Sequence, residues 1–239
     1  LRSNFSIRFD GSDDYIDTLR NFQDVFRGSF AISFWIKPND GIPTNTQFLF
    51  GATGSSSDVI RFSIVDDGTF MFYFQSQGSS SNITIRTSSA VLSDGLATSW
   101  THVIIDVTKP ASGNTSAVMY INGQPQTSLL NNNHALTAAD HGIFSTATNL
   151  PIGARRQSAS NPQDFYRGLM DEFAIFNTFL GQDNVSSIYN SGSAIDLRSN
   201  KNSYTKSANL NAYYKMGDDI STVDRRNGLV RDLANLSLG

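Results

Sequence analysis

The feature that most constrains this chain is a two-residue alternation of apolar side chains, broken at short intervals by turn-forming residues. In "VIRFSIVDDGTFMFYFQ", residues 59–75, Ile60, Phe62 and Ile64 alternate into Asp66-Asp67-Gly68, and Phe70, Phe72 and Phe74 alternate out of it. Successive side chains of a strand point to opposite faces, so such a run buries one face of a hairpin and leaves the other to polar residues. The same period recurs in "FSIRF" (Phe5, Ile7, Phe9) and in "SFAISFWIKP" (Phe30, Ile32, Phe34, Ile36). It returns in the pair "SWTHVIIDV" and "AVMYINGQ", where Asn122-Gly123 is a strong turn signal. Short strands joined by turns predict an all-β antiparallel chain. Its core is expected from Phe34, Trp35 or Ile36, Phe62, Phe72, Trp100, Val103, Ile105 and Phe173.

Composition agrees and removes several function classes. Seventeen phenylalanines stand beside abundant Ser, Thr, Asn and Gly, a mixture that favours strands and turns over helices. A chain of 239 residues can bury a sizeable core, and a sandwich of this size is commonly one domain. The formal net charge is −3 and the arginines are scattered, so no basic stripe points to nucleic acid. No apolar run reaches transmembrane length, and membrane insertion is not expected. The absence of Cys removes disulfides, thiolate catalysis and Cys-based zinc sites, while fitting reducing and oxidising compartments alike. The chain opens on Leu1 without a signal segment, as expected of an excerpt or a processed product.

Between the strands, the stretches 54–58, 76–82 and "LLNNNHALTAADHG" (129–142) read as loops. One short peripheral helix is expected over 182–191, because Val185, Ile188 and Tyr189 fall on one face and Gly192 can supply a left-handed cap. Past about residue 193 the texture turns polar, in "SAIDLRSNKNSYTKSANLN", before "AYYKMGDD" resumes strand character.

Taken in order, "FDGSDDYIDTL" (9–19), "FAISFWIKP" (30–38), "SWTHVIIDV" with "VMYINGQ", "LPIGAR" (150–155) and "GLMDEFAIFNTFL…VSSIYNSG" (168–192) resemble the laminin G-like jelly-roll domains of the concanavalin A-like lectin and glucanase superfamily. The resemblance implies a two-sheet antiparallel jelly-roll sandwich, which matches the alternation found independently. It divides the chain into a jelly-roll domain over 1–192 and, over 193–239, a connector with C-terminal return strands packed on the same domain. In many such domains a segment like "LNAYYKMGDD" precedes the "FDG" strand, whereas here it follows. Either the chain is cut from a tandem array or its end folds back beside its start, and unpaired sheet edges favour the second. The tail also resembles those of bacteriophage virion proteins.

The sole glutamate, Glu172, stands beside Asp171. Retaining glucanases need two carboxyl groups roughly 5 Å apart flanking one bond, and neighbours on a regular strand face opposite ways. No catalytic residues are therefore assigned, and the chain reads as a non-enzyme. Alternation gives Asp171 the parity of Phe173 and Ile175, facing inward, and leaves Glu172 solvated or ion-paired. A buried carboxylate requires hydrogen bonds or a cation. It could be met by the N–H groups of the "DGSDD" turn, by Arg8 or Arg167, or by a structural Ca²⁺ held by Asp171 with Asp10 or Asp13, an option that the resemblance to calcium-binding relatives strengthens. His102, His134 and His141 make no metal-ligand motif, and His102 reads as a hydrogen-bonded structural residue.

Binding is what remains. The loop "GARRQSASNPQDFYRG" (153–168) gathers Arg155, Arg156, Asn161, Gln163, Asp164, Phe165 and Tyr166, the mixture of flat rings and polar groups that sugars require. The plainer alternative is that Phe165 and Tyr166 begin the next strand and pack inward. Two roles follow. One is a recognition or adhesion module that binds glycans or a surface receptor. The other is a structural or decoration protein of a particle such as a virion, packing on a scaffold or on copies of itself. Both imply an extracellular, cell-surface or virion location.

Overall fold

The computed structural model describes residues 5–53, 58–76, 81–96, 98–127, 129–130, 135–146, 148–157, 161–219 and 230–234. Two sheets face each other. The first has seven strands, in the order β1 (Ile7–Asp10), β14 (Arg167–Phe176), β3 (Phe30–Pro38), β8 (Thr101–Thr108), β9 (Ser116–Ile121) and β10 (Gln124–Pro125), with β15 (Leu210–Tyr214) also paired to β14. The second has eight: β11 (Leu129–Leu130), β7 (Asn82–Thr87), β6 (Phe70–Gln75), β5 (Val59–Ile64), β4 (Gln47–Thr53), β12 (Pro151–Ile152) and β2 (Ile16–Asp17), with β13 (Arg155–Gln157) beside β4. Pairing is antiparallel apart from β13, which runs parallel to β4. A last strand, β16 (Met216–Asp219), follows β15.

The expected jelly roll is therefore present, and its core is aromatic. Phe34 of the first sheet lies 5.2 Å from Phe62 and 5.9 Å from Phe50 of the second, ring centre to ring centre. Phe9, Phe72, Val103, Ile105 and Phe173 are buried in the same cluster. Two expectations change. Trp35 is buried, but on the outer face of its sheet, stacked 4.7 Å from His102 and 5.9 Å from Tyr189, so Ile36 is the core residue of that pair. Trp100 precedes β8 and is only half-buried, and Phe5, ahead of β1, is exposed.

The expected helix is α3 (Gly181–Tyr189), with Val185 and Ile188 buried; Asn190, at φ +44°, takes the left-handed cap position assigned to Gly192. Two further helices, α1 (Gln23–Phe26) and α2 (Ala138–Gly142), are single turns too short to leave a periodic signal. A second apolar cluster fills the outer side of the first sheet: Ala31, Ile104, Ala174 and Phe176 from the sheet, Val185 and Ile188 from α3, and Ile195, Leu197, Tyr204 and Tyr213 from the segment beyond.

The edge of β14 is shared. Residues 167–170 pair with β1 and residues 173–176 with β15, so the segment after residue 193 returns to lie end to end with the first strand. Between these halves the register to β3 slips: Asp171 stands opposite Trp35, but Ala174 stands opposite Ser33. One extra residue is accommodated at a bulge, where Glu172 adopts φ +51°. This overturns the alternation argument. Asp171 shares the outward side of Trp35, while Phe173 returns to the core. Glu172 is not solvated: it is 5 % exposed and lines a small cavity with Ser33, Trp35, Ile188 and Ile195.

Candidate functional site

The outer face of the first sheet is covered by α3 and the 193–214 segment. On the second sheet, the register alone assembles a mixed polar and aromatic row on the outer face. Gly51 of β4 pairs with Arg155 of β13 on one side and Arg61 of β5 on the other, Arg61 pairs with Tyr73 of β6, and Tyr73 with Thr84 of β7. Their neighbours in sequence, Phe50, Phe62, Phe72 and Ile85, fill the core, so this row faces away from it. A Cβ placed on Gly51 would lie 3.0 Å from the Arg155 Cβ and 3.1 Å from the Arg61 Cβ, so the glycine lets the two arginine stems close over this point of β4, where it is buried.

Both arginines lean on the same ring. The guanidinium carbons of Arg155 and Arg61 lie 5.0 Å and 5.9 Å from the centre of Phe48, and Arg61 lies 4.8 Å from the centre of Tyr73. Their charges differ in how they are met. Arg155 pairs with Asp164, whereas Arg61 has no ion pair or hydrogen bond among the described residues, and its Nε is sealed from solvent. Burial, with the like charge of Arg155, lowers its affinity for its proton, and the Tyr73 hydroxyl acts the other way. Ser63, one row along, buries its hydroxyl without a partner among the described residues.

Of the residues expected to bind, three reach this face. Arg155 is in the row. Gln163 exchanges backbone hydrogen bonds with Arg155 and donates from its side chain to Gln157. Asp164 accepts from Arg155 and also lines a polar cleft of about 520 Å³ with Asn39, Asp40, Gln47 and Arg167. Asn161 is exposed nearby in sequence, next to residues 158–160, which lie outside the described ones. Two do not belong to the face. Arg156 alternates to the other side of β13 and pairs with Asp17 at 3.1 Å. Tyr166 is wholly buried, packs on Phe9 and donates its hydroxyl to the Leu169 carbonyl, so it is a core residue.

The acidic residues separate as well. Asp10, Asp13 and Asp14 bring carboxylate oxygens within 4.8 Å of one another in an exposed turn. Asp10 accepts from the Ser12 N–H, and Asp14 from the Asp10 N–H, so these N–H groups serve the turn's own carboxylates and not Asp171. Asp171 is not with them: it lies four residues along β14 from Arg167, the partner of Asp10, roughly 13 Å at the rise of a strand. Its carboxylate instead accepts the Glu172 N–H at the bulge, and Glu172 accepts from the Tyr213 hydroxyl. Both acids are shut beneath α3 and the segment after it. His102 is buried against Ser33 Oγ at 2.9 Å, and burial pushes its pKa down to about 3. His141 bridges Thr115 and the Phe26 carbonyl, with a pKa of about 4 for the same reason. His134 lies outside the described residues.

Arg61, Tyr73 and Phe48 were not singled out in the sequence. The signal was there in part: Arg61 and Tyr73 occupy the polar parity of the hairpin whose apolar parity marks the core. Their meeting with Arg155 depends on β13 running parallel to β4, which no local pattern announces.

Comparison with known proteins adds the family context. The profile described as concanavalin A-like lectin/glucanases superfamily matches residues 10–186. No curated protein matches the chain by sequence. Among solved structures, the chain resembles the CBM40 domain of the Ruminococcus gnavus IT-sialidase, solved with α2,3-sialyllactose, at 11% identity and a TM-score of 0.58, covering 78% of this chain and 97% of that one. It also resembles the Streptococcus pneumoniae sialidase NanB, at 14% identity and 0.55, over 77% of this chain and 28% of that one. A third is the binding domain of botulinum neurotoxin DC in complex with SialylT, at 19% and 0.50, over 70% and 36%. At these identities the likeness is one of fold.

Proposed function

The chain belongs to the concanavalin A-like lectin/glucanases superfamily, and from that premise we propose that it is a non-catalytic recognition module that binds glycans on the outer face of its eight-stranded sheet. The observation that carries this reading is the half-exposed row Arg155, Arg61, Tyr73 and Thr84, aligned across buried Gly51, with Phe48 beside the two arginines. Rings supply flat apolar surface to a sugar, and guanidinium, amide and hydroxyl groups supply directional hydrogen bonds. Gln163, Gln157 and Asp164 form its rim.

Two findings support a binding role over hydrolysis. The acid pair Asp171 and Glu172 is buried on the covered side of the other sheet, out of reach of a polysaccharide. Solved relatives of the same fold, the CBM40 domain and the neurotoxin binding domain, were captured with a sialylated sugar and with SialylT respectively. Calcium at Asp10 and Asp13 stays within the proposal, with Asp14 as the third carboxylate in place of Asp171; its oxygen-only donor set suits that ion. Melting with calcium and with a chelator tests it, and an unchanged Tm rejects it.

A glycan array probed with the intact chain, with and without calcium, is the test of function. Hits that vanish in Tyr73→Ala, with the fold retained by circular dichroism, are the expected result. An array without hits, from a protein that runs as a larger oligomer, would favour packing on a scaffold or on copies of itself instead.

A further inference from the structure

We propose that the polar cleft beside Asp164 is a second sugar site of this module, and that it takes an uncharged sugar unit. The proposal rests on the reading that the chain binds glycans, and it adds a place away from the Arg61 row and the charge of what is held there.

The walls of the cleft are fixed without a ligand. They come from "NDGIPTNTQ" (39–47), from Leu96 and from residues 164–167, and they are tied to one another. The Asn39 N–H donates to the Arg167 carbonyl, the Arg167 N–H to Gln47 Oε1, and the Phe48 N–H to the Asp164 carbonyl, each at 3.0 Å. Asp40 accepts from the N–H groups of Ile42 and Gly95, which joins the loop to the segment before Leu96. The two run so close that a Cβ on Gly41 would lie 2.1 Å from the Ser93 carbonyl oxygen. The side chains of Asn39, Thr44, Asn45, Thr46 and Arg167, by contrast, make no hydrogen bond or ion pair among the described residues. A rigid wall that carries uncommitted polar groups is preorganised for a ligand.

The chemistry of the wall is that of a sugar site. The cleft holds about 520 Å³, within the range of small-molecule sites. Amides and hydroxyls both donate and accept, as sugar hydroxyls do, and the half-buried Phe165 ring with exposed Leu96 offers apolar surface to a sugar's C–H face. Charge narrows the choice. Asp164 is met by Arg155, which leaves Arg167 and Asp40 as the opposed charges of the cleft. Gly11, which lines the same cleft, belongs to the turn that carries Asp10, Asp13 and Asp14. Those further carboxylates disfavour an anion and leave a neutral sugar as the ligand. Asp164 also links the two places, because it bonds to Arg155 of the row and lines the cleft, while Phe165 bridges to Phe48. A glycan longer than one unit can therefore occupy both.

The test follows the side-chain amide signals of Asn39, Asn45 and Gln47 in the intact chain by NMR, with chelator present. The probes are the methyl glycosides of glucose, galactose, mannose and N-acetylglucosamine, and methyl glucuronide. Saturable shifts with at least one neutral glycoside, and none with the glucuronide, are expected. Asn45→Ala and Arg167→Gln, each verified as folded by circular dichroism, should weaken that binding about fivefold, the loss of one hydrogen bond. Silent amides with every neutral glycoside, or shifts as large with the glucuronide, overturn the proposal. Array hits lost in Tyr73→Ala but untouched by both cleft variants would overturn it and leave the face intact. Hits lost in the cleft variants but kept in Tyr73→Ala would support the cleft and overturn the face. Silent amides together with an array without hits would overturn the glycan reading and this proposal with it.

Discussion

On the outer face of the seven-stranded sheet, Asp106 accepts the N–H groups of Leu180 and Gly181, both at 2.8 Å, and so holds the start of α3. On the same face His102 meets Ser33, and Glu172 meets Tyr213. On the outer face of the eight-stranded sheet, Arg61 lies against the rings of Phe48 and Tyr73 and makes no ion pair or hydrogen bond among the described residues. Both faces arise from the same alternation, which puts polar residues opposite an aromatic core. They diverge because α3 and the segment after it lie across one face and leave the other open. A covered polar group must be satisfied within the fold, whereas an uncovered one can wait for a ligand. The covered side is therefore where polar residues hold the structure together, and the open side is where they are available for work.

The sharpest way to break this contrast is to truncate one polar residue from each face. Asp106→Ala strips two buried helix N–H groups of their acceptor and should cost about 2–4 kcal/mol in urea unfolding. Arg61→Gln should not destabilise, because it removes a half-buried cation that no described residue neutralises. Equal losses would show that the open face is structural as well.

Acid should act through buried histidines rather than through the arginine row. His102 and His141 have folded pKa values of about 3 and about 4, below the unfolded value near 6.5, so the unfolded chain takes up the proton first and stability falls as pH drops. From pH 7 to 5 each should lose about 2 kcal/mol. Asp58 opposes them. It is fully buried, burial raises its pKa to about 6, and it gains about 1 kcal/mol over the same interval. The net fall, about 2–3 kcal/mol, should shrink in His102→Gln and persist in Arg61→Gln when unfolding is followed at both pH values. A rise in stability on acidification would mean that Asp58 outweighs the histidines.

A finer comparison uses two tyrosines. Tyr213→Phe removes the phenol that donates to buried Glu172 and should cost about 1–2 kcal/mol, while Tyr73→Phe on the open face should be near neutral in the same urea titration. Similar values for the two would mean that the covered pair contributes no more than a surface contact.

The alternation of Phe62, Phe72 and Phe34 was legible because each strand there is regular and one face is buried. It misled at Glu172 because a bulge inserts one residue, and a single left-handed φ reverses every parity beyond it. Tyr166 looked like a binding residue for a related reason: a tyrosine suits a sugar site and a core alike, and only its burial against Phe9 decides. The loop 153–168 was found from composition, yet its partner Arg61 lies in another hairpin, and the spatial link between them is carried by strand pairing rather than by any stretch of sequence.

The shared edge of β14 sets an order on folding. Phe173 to Phe176 form one of the last strands of the sandwich to be synthesised, and the partner for that half, residues 210–214, is made later still. Until it emerges, that edge of the sheet presents free backbone groups beside an apolar surface, an arrangement prone to pairing with other chains. That pairing spans about forty residues, whereas the other half of the same strand pairs with β1 from about 160 residues back, the kind of distant contact that slows folding. Chains ending before residue 210 should therefore aggregate even though most of the aromatic core is already encoded in them.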